Sequence, residues 1–140
     1  MNTKHILEGR TILNIQIASD KLALRFETDK GDVVAKVDGA CCSHTWIEEV
    51  EVLAPLPCSV AAVEDLSLRK SECVDYDTIQ FYGCKITTDK GDITIDYRNS
   101  SNGYYGGDLW WPKEDPEAYN HYYGGVYDQN VSTEQWVDLS

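Results

Sequence analysis

The densest run of recognition chemistry in this sequence is Arg98-Asn99-Ser100-Ser101-Asn102-Gly103-Tyr104-Tyr105. An arginine fork suits phosphate or carboxylate. Serine and asparagine hydrogen-bond adaptably, glycine lets a ligand approach the backbone, and a tyrosine ring can stack on a base. Arg98, Asn99, Ser100, Asn102, Tyr104 and Tyr105 are thus the candidate residues for a nucleotide-like ligand. No G-x-G-x-x-G or P-loop accompanies them. The same residues also suit a surface loop that satisfies its own turns and packs its tyrosines on a sheet. A second cluster mixes acids with large rings: Asp108, Trp110, Trp111, Glu114, Asp115, Glu117, Tyr119, Tyr122 and Tyr123. Tyrosine and tryptophan are favoured at protein interfaces because they bury large areas at low entropic cost. These nine residues are the candidate partner-binding set, with internal packing or a homo-oligomer contact as their other use.

Charge narrows the partner. The 140 residues carry 24 acids and 12 bases, a net charge of −12. Direct binding to nucleic-acid phosphates or to an anionic membrane surface is disfavoured, because both rely on cations. The excess is segregated. Residues 47–78 and 108–140 each carry a net −6, while the other two stretches balance. Ten of the fifteen aromatic residues lie from Tyr97 onward. A segregated acidic face steers a basic partner and weakens with salt, and carboxylates among rings can imitate the phosphates of nucleic acid. Its plainer use is solubility.

Catalytic and metal chemistry find little footing. Cys41-Cys42-Ser43-His44 lacks the spaced second pair of a zinc site, and no flanking signature supports a nucleophilic Cys41 or Cys42 activated by His44. Five cysteines with no signal-like N-terminus read as reduced thiols in a cytoplasm, buried as small hydrophobes. His5, His44 and His121 sit in unrelated contexts, and no G-x-S-x-G or H-E-x-x-H is present. Neither an enzyme, a metal nor a cofactor is expected. No apolar run is long enough to span a bilayer.

The positioning elements follow from periodicity. Thr11 to Ile17, Lys21 to Thr28 and Val33 to Val37 alternate apolar and polar residues and read as a three-strand meander. Asp29-Lys30-Gly31-Asp32 supplies a turn. Thr78 to Thr88 and Ile93 to Tyr97 read as a second hairpin around Asp89-Lys90-Gly91-Asp92, with Gly83 placed to mark a bulge. The string Thr-Asp-Lys-Gly-Asp thus occurs at 28–32 and again at 88–92; one five-residue match does not by itself establish a duplication. Ser43 is placed to cap a short helix through Trp46, Ile47 and Val50, although W-I-E-E-V-E-V also alternates as a strand does. Ser59 to Leu68 fits either a helix or a strand. From Asn99 the chain reads as a turn-rich loop, and Lys113 to Tyr119 as the start of a helical turn. The expectation is an α+β fold. An antiparallel hairpin sheet with one or two short helices occupies residues 1–107, and an acidic, aromatic C-terminal extension occupies 108–140, packed on that core or on a partner.

Cys41-Cys42 followed by Trp46-Ile47-Glu48, a proline-marked break, and a strand–turn–strand ending in Ser100-Ser101-Asn102-Gly103-Tyr104-Tyr105 resembles a family of small uncharacterised proteins found largely in bacteriophages and prophages. The resemblance covers about residues 10–107 and implies a small α+β fold and phage accessory status, with no reaction attached. With the charge and the aromatic tail, it gives the expected function: a non-catalytic phage accessory protein in the host cytoplasm. It would bind and inhibit a basic host defence protein, in an anti-CRISPR-like manner, through nucleic-acid mimicry. The alternative is a sponge for a nucleotide-derived immune signal at Arg98 and its neighbours. A structural or regulatory protein with no defence role is the third reading.

Overall fold

A computed structural model describes residues 5–39, 44–74, 77–101, 107–112 and 135–139. Nine strands run through them: β1 (Thr11–Ala18), β2 (Ala23–Thr28), β3 (Gly31–Gly39), β4 (His44–Val52), β5 (Cys58–Val74), β6 (Asp77–Thr88), β7 (Gly91–Ser101), β8 (Gly107–Trp110) and β9 (Trp136–Asp138). Every pairing is antiparallel. The described residues contain no helix, so the fold is all-β and the expected α+β class is corrected.

The short helix expected through Trp46, Ile47 and Val50 is strand β4. Its register steps from Ile47 opposite Tyr97 to Glu49 opposite Asp96, leaving Glu48 as an extra bulged residue. That insertion breaks strict alternation and lets W-I-E-E-V imitate helical spacing, although a strand's pairing decides the outcome. The ambiguous Ser59 to Leu68 lies within β5, as its β-branched content favours. The region from Asn99 begins as strand, because β7 continues to Ser101 against β4 and β6. The irregularity expected at Gly83 falls on the partner: β5 steps from Leu66 opposite Gly83 to Lys70 opposite Phe81. A Cβ at Gly83 would sit 3.3 Å from that of Leu66. The acidic piece from Lys113 to Tyr119 lies outside the described residues.

The sheet order is β4-β7-β6-β5-β1-β2-β3-β8, with β9 added on β1. Exchanging β1–β4 with β5–β8 reverses that order onto itself, so the two halves of the chain are related by a pseudo-two-fold. The register repeats in detail. Phe26 faces Val33 as Ile86 faces Ile93, and Leu24 faces Ala35 as Cys84 faces Ile95. β1 skips Leu13 against β2, and β5 skips Ala61 against β6, so each half carries the same bulge one residue after Ile12 or Val60. The repeated pentapeptide forms the same turn twice. In each, the threonine hydroxyl donates to the glycine carbonyl and accepts from the lysine N–H. The glycines have φ of 110° and 140°, a region that side chains with a Cβ rarely adopt.

The axis passes near Thr11 and Ser59, which face each other across the β1–β5 junction. Asp29 Oδ1 accepts the Thr11 N–H at 2.9 Å and Asp89 Oδ1 accepts the Ser59 N–H at 2.8 Å. The Asp29 and Asp89 N–H groups return to the Thr11 and Ser59 carbonyls. The fourth strands cross over: β4 pairs with β7 of the other half and β8 with β3. The sheet curls until β4 lies beside β3 and β8, and the Ile47 N–H reaches the Lys21 carbonyl at 2.9 Å. One core results, drawing Ile12, Ile15, Leu24, Phe26 and Val33 from the first half and Ile86, Ile93, Ile95 and Tyr97 from the second, with Ile47 and Leu109 from the crossing strands. Burying each such side chain contributes about 1.5–3 kcal/mol before entropy is counted.

Candidate functional site

Alternation along β4 and β7 sends one set of side chains inward and the other out. Ile47, Ile93, Ile95 and Tyr97 are buried. Glu49 and Glu51 stand on the outer face, opposite Asp96 and Thr94. These four residues line a shallow groove of about 160 Å³. Like charges directly opposite each other across a strand pair destabilise the sheet, so Glu49 and Asp96 are a costly arrangement unless a cation lies over them. Arg98 meets part of that cost from one end. Its guanidinium lies 3.4 Å from Asp96 Oδ2 and 3.6 Å from Glu48 Oε1, and 4.5 Å above the Phe81 ring. The groove was legible in the sequence only if residues 46–52 were taken as a strand, where Glu49 and Glu51 share a face.

The candidate ligand residues are distributed as follows. Arg98, Asn99 and Ser100 belong to β7. Asn99 is fully buried and its amide donates to Thr45 Oγ1 at 2.8 Å, so it fastens β7 to β4. Ser100 is half-buried, opposite His44 and Ile79. Asn102, Tyr104 and Tyr105 lie outside the described residues. An anionic ligand at Arg98 would have to displace two carboxylates.

Of the partner-binding set, Asp108 and Trp110 lie on β8, opposite Asp38 and Lys36. Trp110 is 7% exposed, with the Lys36 ammonium 6.0 Å from its ring. Trp111 is half-buried, 5.4 Å from the Phe26 ring and edge-on to His5 at 4.6 Å. The Trp111 indole packs on the core, whereas Trp110, which alternates with the core residue Leu109, is buried on the opposite face beside Lys36. Glu114, Asp115, Glu117, Tyr119, Tyr122 and Tyr123 lie outside the described residues. β9 folds back on β1: Gln16 pairs with Asp138 and Ala18 with Trp136. Trp136 lies under Arg25 at 5.0 Å. The Asn14 and Gln16 amides donate to Asp138 Oδ1 and hold its carboxyl below the usual range.

A second concavity, of about 130 Å³, is lined by His5, Val63, Asp65, Cys84, Tyr97, Leu109 and Trp111. Burial holds the His5 imidazole down to about 4. The Leu7 N–H donates to its Nδ1 at 3.1 Å, which leaves the ring proton on Nε2, a buried donor with no acceptor among the described residues. Burial, then the charge of Asp65, pushes the Cys84 thiol up to about 12. Cys58 is likewise raised by burial. Both are free and buried, the usual setting of a cysteine that acts as a small hydrophobe. Cys41 and Cys42 lie outside the described residues, and His44 stacks on Trp46 at 5.5 Å. Among the described residues no group of three or more His, Cys, Asp or Glu could hold a metal ion. No helix among them is long and apolar enough to cross a membrane.

No curated protein and no solved structure matches this chain. A family profile does match, over residues 5–111. That span runs from the His5 turn through β8 to Trp111 and so takes in both halves of the pseudo-two-fold. The chain belongs to the family described as a domain of unknown function, DUF7448.

Proposed function

We propose that this is a non-catalytic bacteriophage accessory protein that binds and inhibits a basic host defence protein in the host cytoplasm, occupying a surface that otherwise holds nucleic acid. The observation that carries the reading is the acidic groove of β4 and β7. There Glu49 faces Asp96 directly and Glu51 extends the row, an arrangement that favours a cationic partner. The segregated charge, a net −6 over residues 47–78 that contains Glu49 and Glu51, supports it. The phage assignment rests on the motif resemblance. The nucleotide-sponge alternative is the weaker, because Arg98 already lies between Asp96 and Glu48.

The test is inhibition of a basic RNA-guided nuclease complex at two salt concentrations, with Glu49→Lys/Glu51→Lys as the comparison. Inhibition should weaken as salt rises and fall about tenfold or more in the variant. Nuclease activity untouched by the protein, or inhibition indifferent to both salt and charge reversal, would refute the reading.

A further inference from the structure

The two halves differ at one edge. In the first, β1 diverges from β5 after Ile12, and β9 covers the edge so exposed. Leu139 donates its N–H to the Ile15 carbonyl at 2.9 Å and packs on the core. Asp138 lies on the outer face, held by Asn14 and Gln16. In the second half β5 runs on to Val74, and among the described residues its side away from β6 carries no strand beyond the β1 junction. The register makes Val63 the counterpart of Ile15, Asp65 of Ile17 and Glu64 of Gln16. Likewise Cys84 matches Leu24, Tyr97 matches Val37 and Leu109 matches Ile47. Five of the seven residues lining the 130 Å³ concavity are therefore the counterparts of Ile15, Ile17, Leu24, Val37 and Ile47, the first of which accepts the Leu139 N–H. In its lining Cys84 and Asp65 stand where the first half has leucine and isoleucine.

We propose that the β5 edge at Val63–Leu66 is a docking site for an extended peptide of a partner protein. The peptide adds as an antiparallel strand, places an aliphatic side chain in the cavity and sets a lysine or arginine immediately before it on the outer face. Strand addition supplies backbone hydrogen bonds, and alternate side chains supply specificity. The volume is close to the roughly 150 Å³ that holds a benzene ring, enough for a leucine or isoleucine side chain. The outer position is fixed by charge. Where Asn14 and Gln16 hold the Asp138 carboxylate, the second half offers Ala62 and Glu64. Glu64 is exposed, and the cation across from it, Lys85, lies 3.7 Å from Asp92 instead. A carboxylate in the incoming strand would be repelled there and an ammonium held. His5 Nε2 adds a donor in the same cavity for a carbonyl of the incoming chain. The site shares no residue with the acidic groove, so either proposal can fail alone.

The test uses the full chain, ¹⁵N-labelled, titrated with two blocked peptides patterned on β9, Gln-Trp-Val-Lys-Leu and Gln-Trp-Val-Asp-Leu. The lysine peptide should shift the amides of Val63–Leu66 with affinity near the millimolar range and bind about tenfold more tightly than the aspartate peptide. Glu64→Lys, an exposed substitution, should reverse the preference. Cys84→Leu, which restores the first half's residue, should fill the cavity and weaken both. Equal affinities, no reversal in Glu64→Lys, shifts confined to Ile15–Ala18, or no shift at all would each overturn the proposal. So would slow exchange of the Val63–Leu66 edge amides in the free protein: in a monomer it would assign the edge to another segment of this chain, in a dimer to a second copy.

Discussion

Removing the turn carboxylates one at a time tests the pseudo-two-fold energetically. Asp29→Ala leaves the Thr11 N–H without its 2.9 Å acceptor, and Asp89→Ala does the same to the Ser59 N–H at 2.8 Å. A hydrogen bond to a charged group contributes about 1.5–3 kcal/mol. Both turns are exposed, so water recovers part of the loss and about 1–1.5 kcal/mol per site is expected. In a chain of this size that is a fall of about 3–5 °C in melting temperature. The halves share the register of these turns, so the two losses should agree within about 0.5 kcal/mol. Thr11 and Ser59 are neighbours across the junction, their hydroxyls 3.3 Å apart. The double variant should therefore depart from the sum of the two, because both single changes loosen the same two-residue contact. The assay is urea unfolding at pH 7 of the parent, both single variants and the double, with unchanged m-values as the control. One silent site beside one that costs more than about 2 kcal/mol would refute the equivalence of the halves, and strict additivity would refute the shared junction.

The turn glycines should differ in a defined way. Both need positive φ, but a Cβ at Gly31 meets nothing within 4 Å, whereas at Gly91 it lies 3.2 Å from the Leu53 carbonyl oxygen. Gly31→Ala should cost about 1 kcal/mol and Gly91→Ala about 2–3 kcal/mol in urea unfolding; equal costs would contradict the packing of Leu53 on the second turn. His5 should make stability fall with acid. Its folded value is lowered to about 4 from an unfolded 6.5, so between those values only the unfolded chain takes up the proton. The stability it confers is complete above pH 6.5 and lost as pH drops toward 4. After discounting for partial exposure this amounts to about 1–2 kcal/mol. It should appear as the difference between the parent and His5→Phe across that window, and a difference constant with pH would sink it.

Much of the strand pattern was open to reading. Ile15, Leu24 and Phe26 alternate cleanly with polar neighbours, and glycine in each repeated pentapeptide leaves little choice but a tight turn. What defeated the reading was local irregularity with a distant cause. Glu48 bulges because Ile47 and Glu49 must both meet partners on β7, about fifty residues away, and nothing within β4 announces that. The exchange of β4 and β8 is equally non-local. The pentapeptide hinted at a repeat, but the bulges at Leu13 and Ala61 and the crossing of the fourth strands confirm it only in three dimensions. The site was the least legible part. Arg98 and Asn99 carry attractive chemistry as letters, and pairing partners absorb it. Trp111, one of the rings read as a docking face, packs against Phe26 on the core, and Trp110 is buried beside Lys36. Glu49, Glu51 and Asp96 form a groove only once β4 lies against β7.

The exchange of fourth strands bears on synthesis at the ribosome. When Val52 leaves the exit tunnel, the strand that must receive β4 has not been made, and the nascent chain carries Ile47 on a strand with no neighbour. About fifty more residues must emerge before Ser101 closes that gap, several seconds at about 5–20 residues per second. β3 waits longer still for Gly107–Trp110. A chain truncated anywhere before residue 101 would leave one edge permanently open, a target for chaperones and proteases and not a smaller working protein.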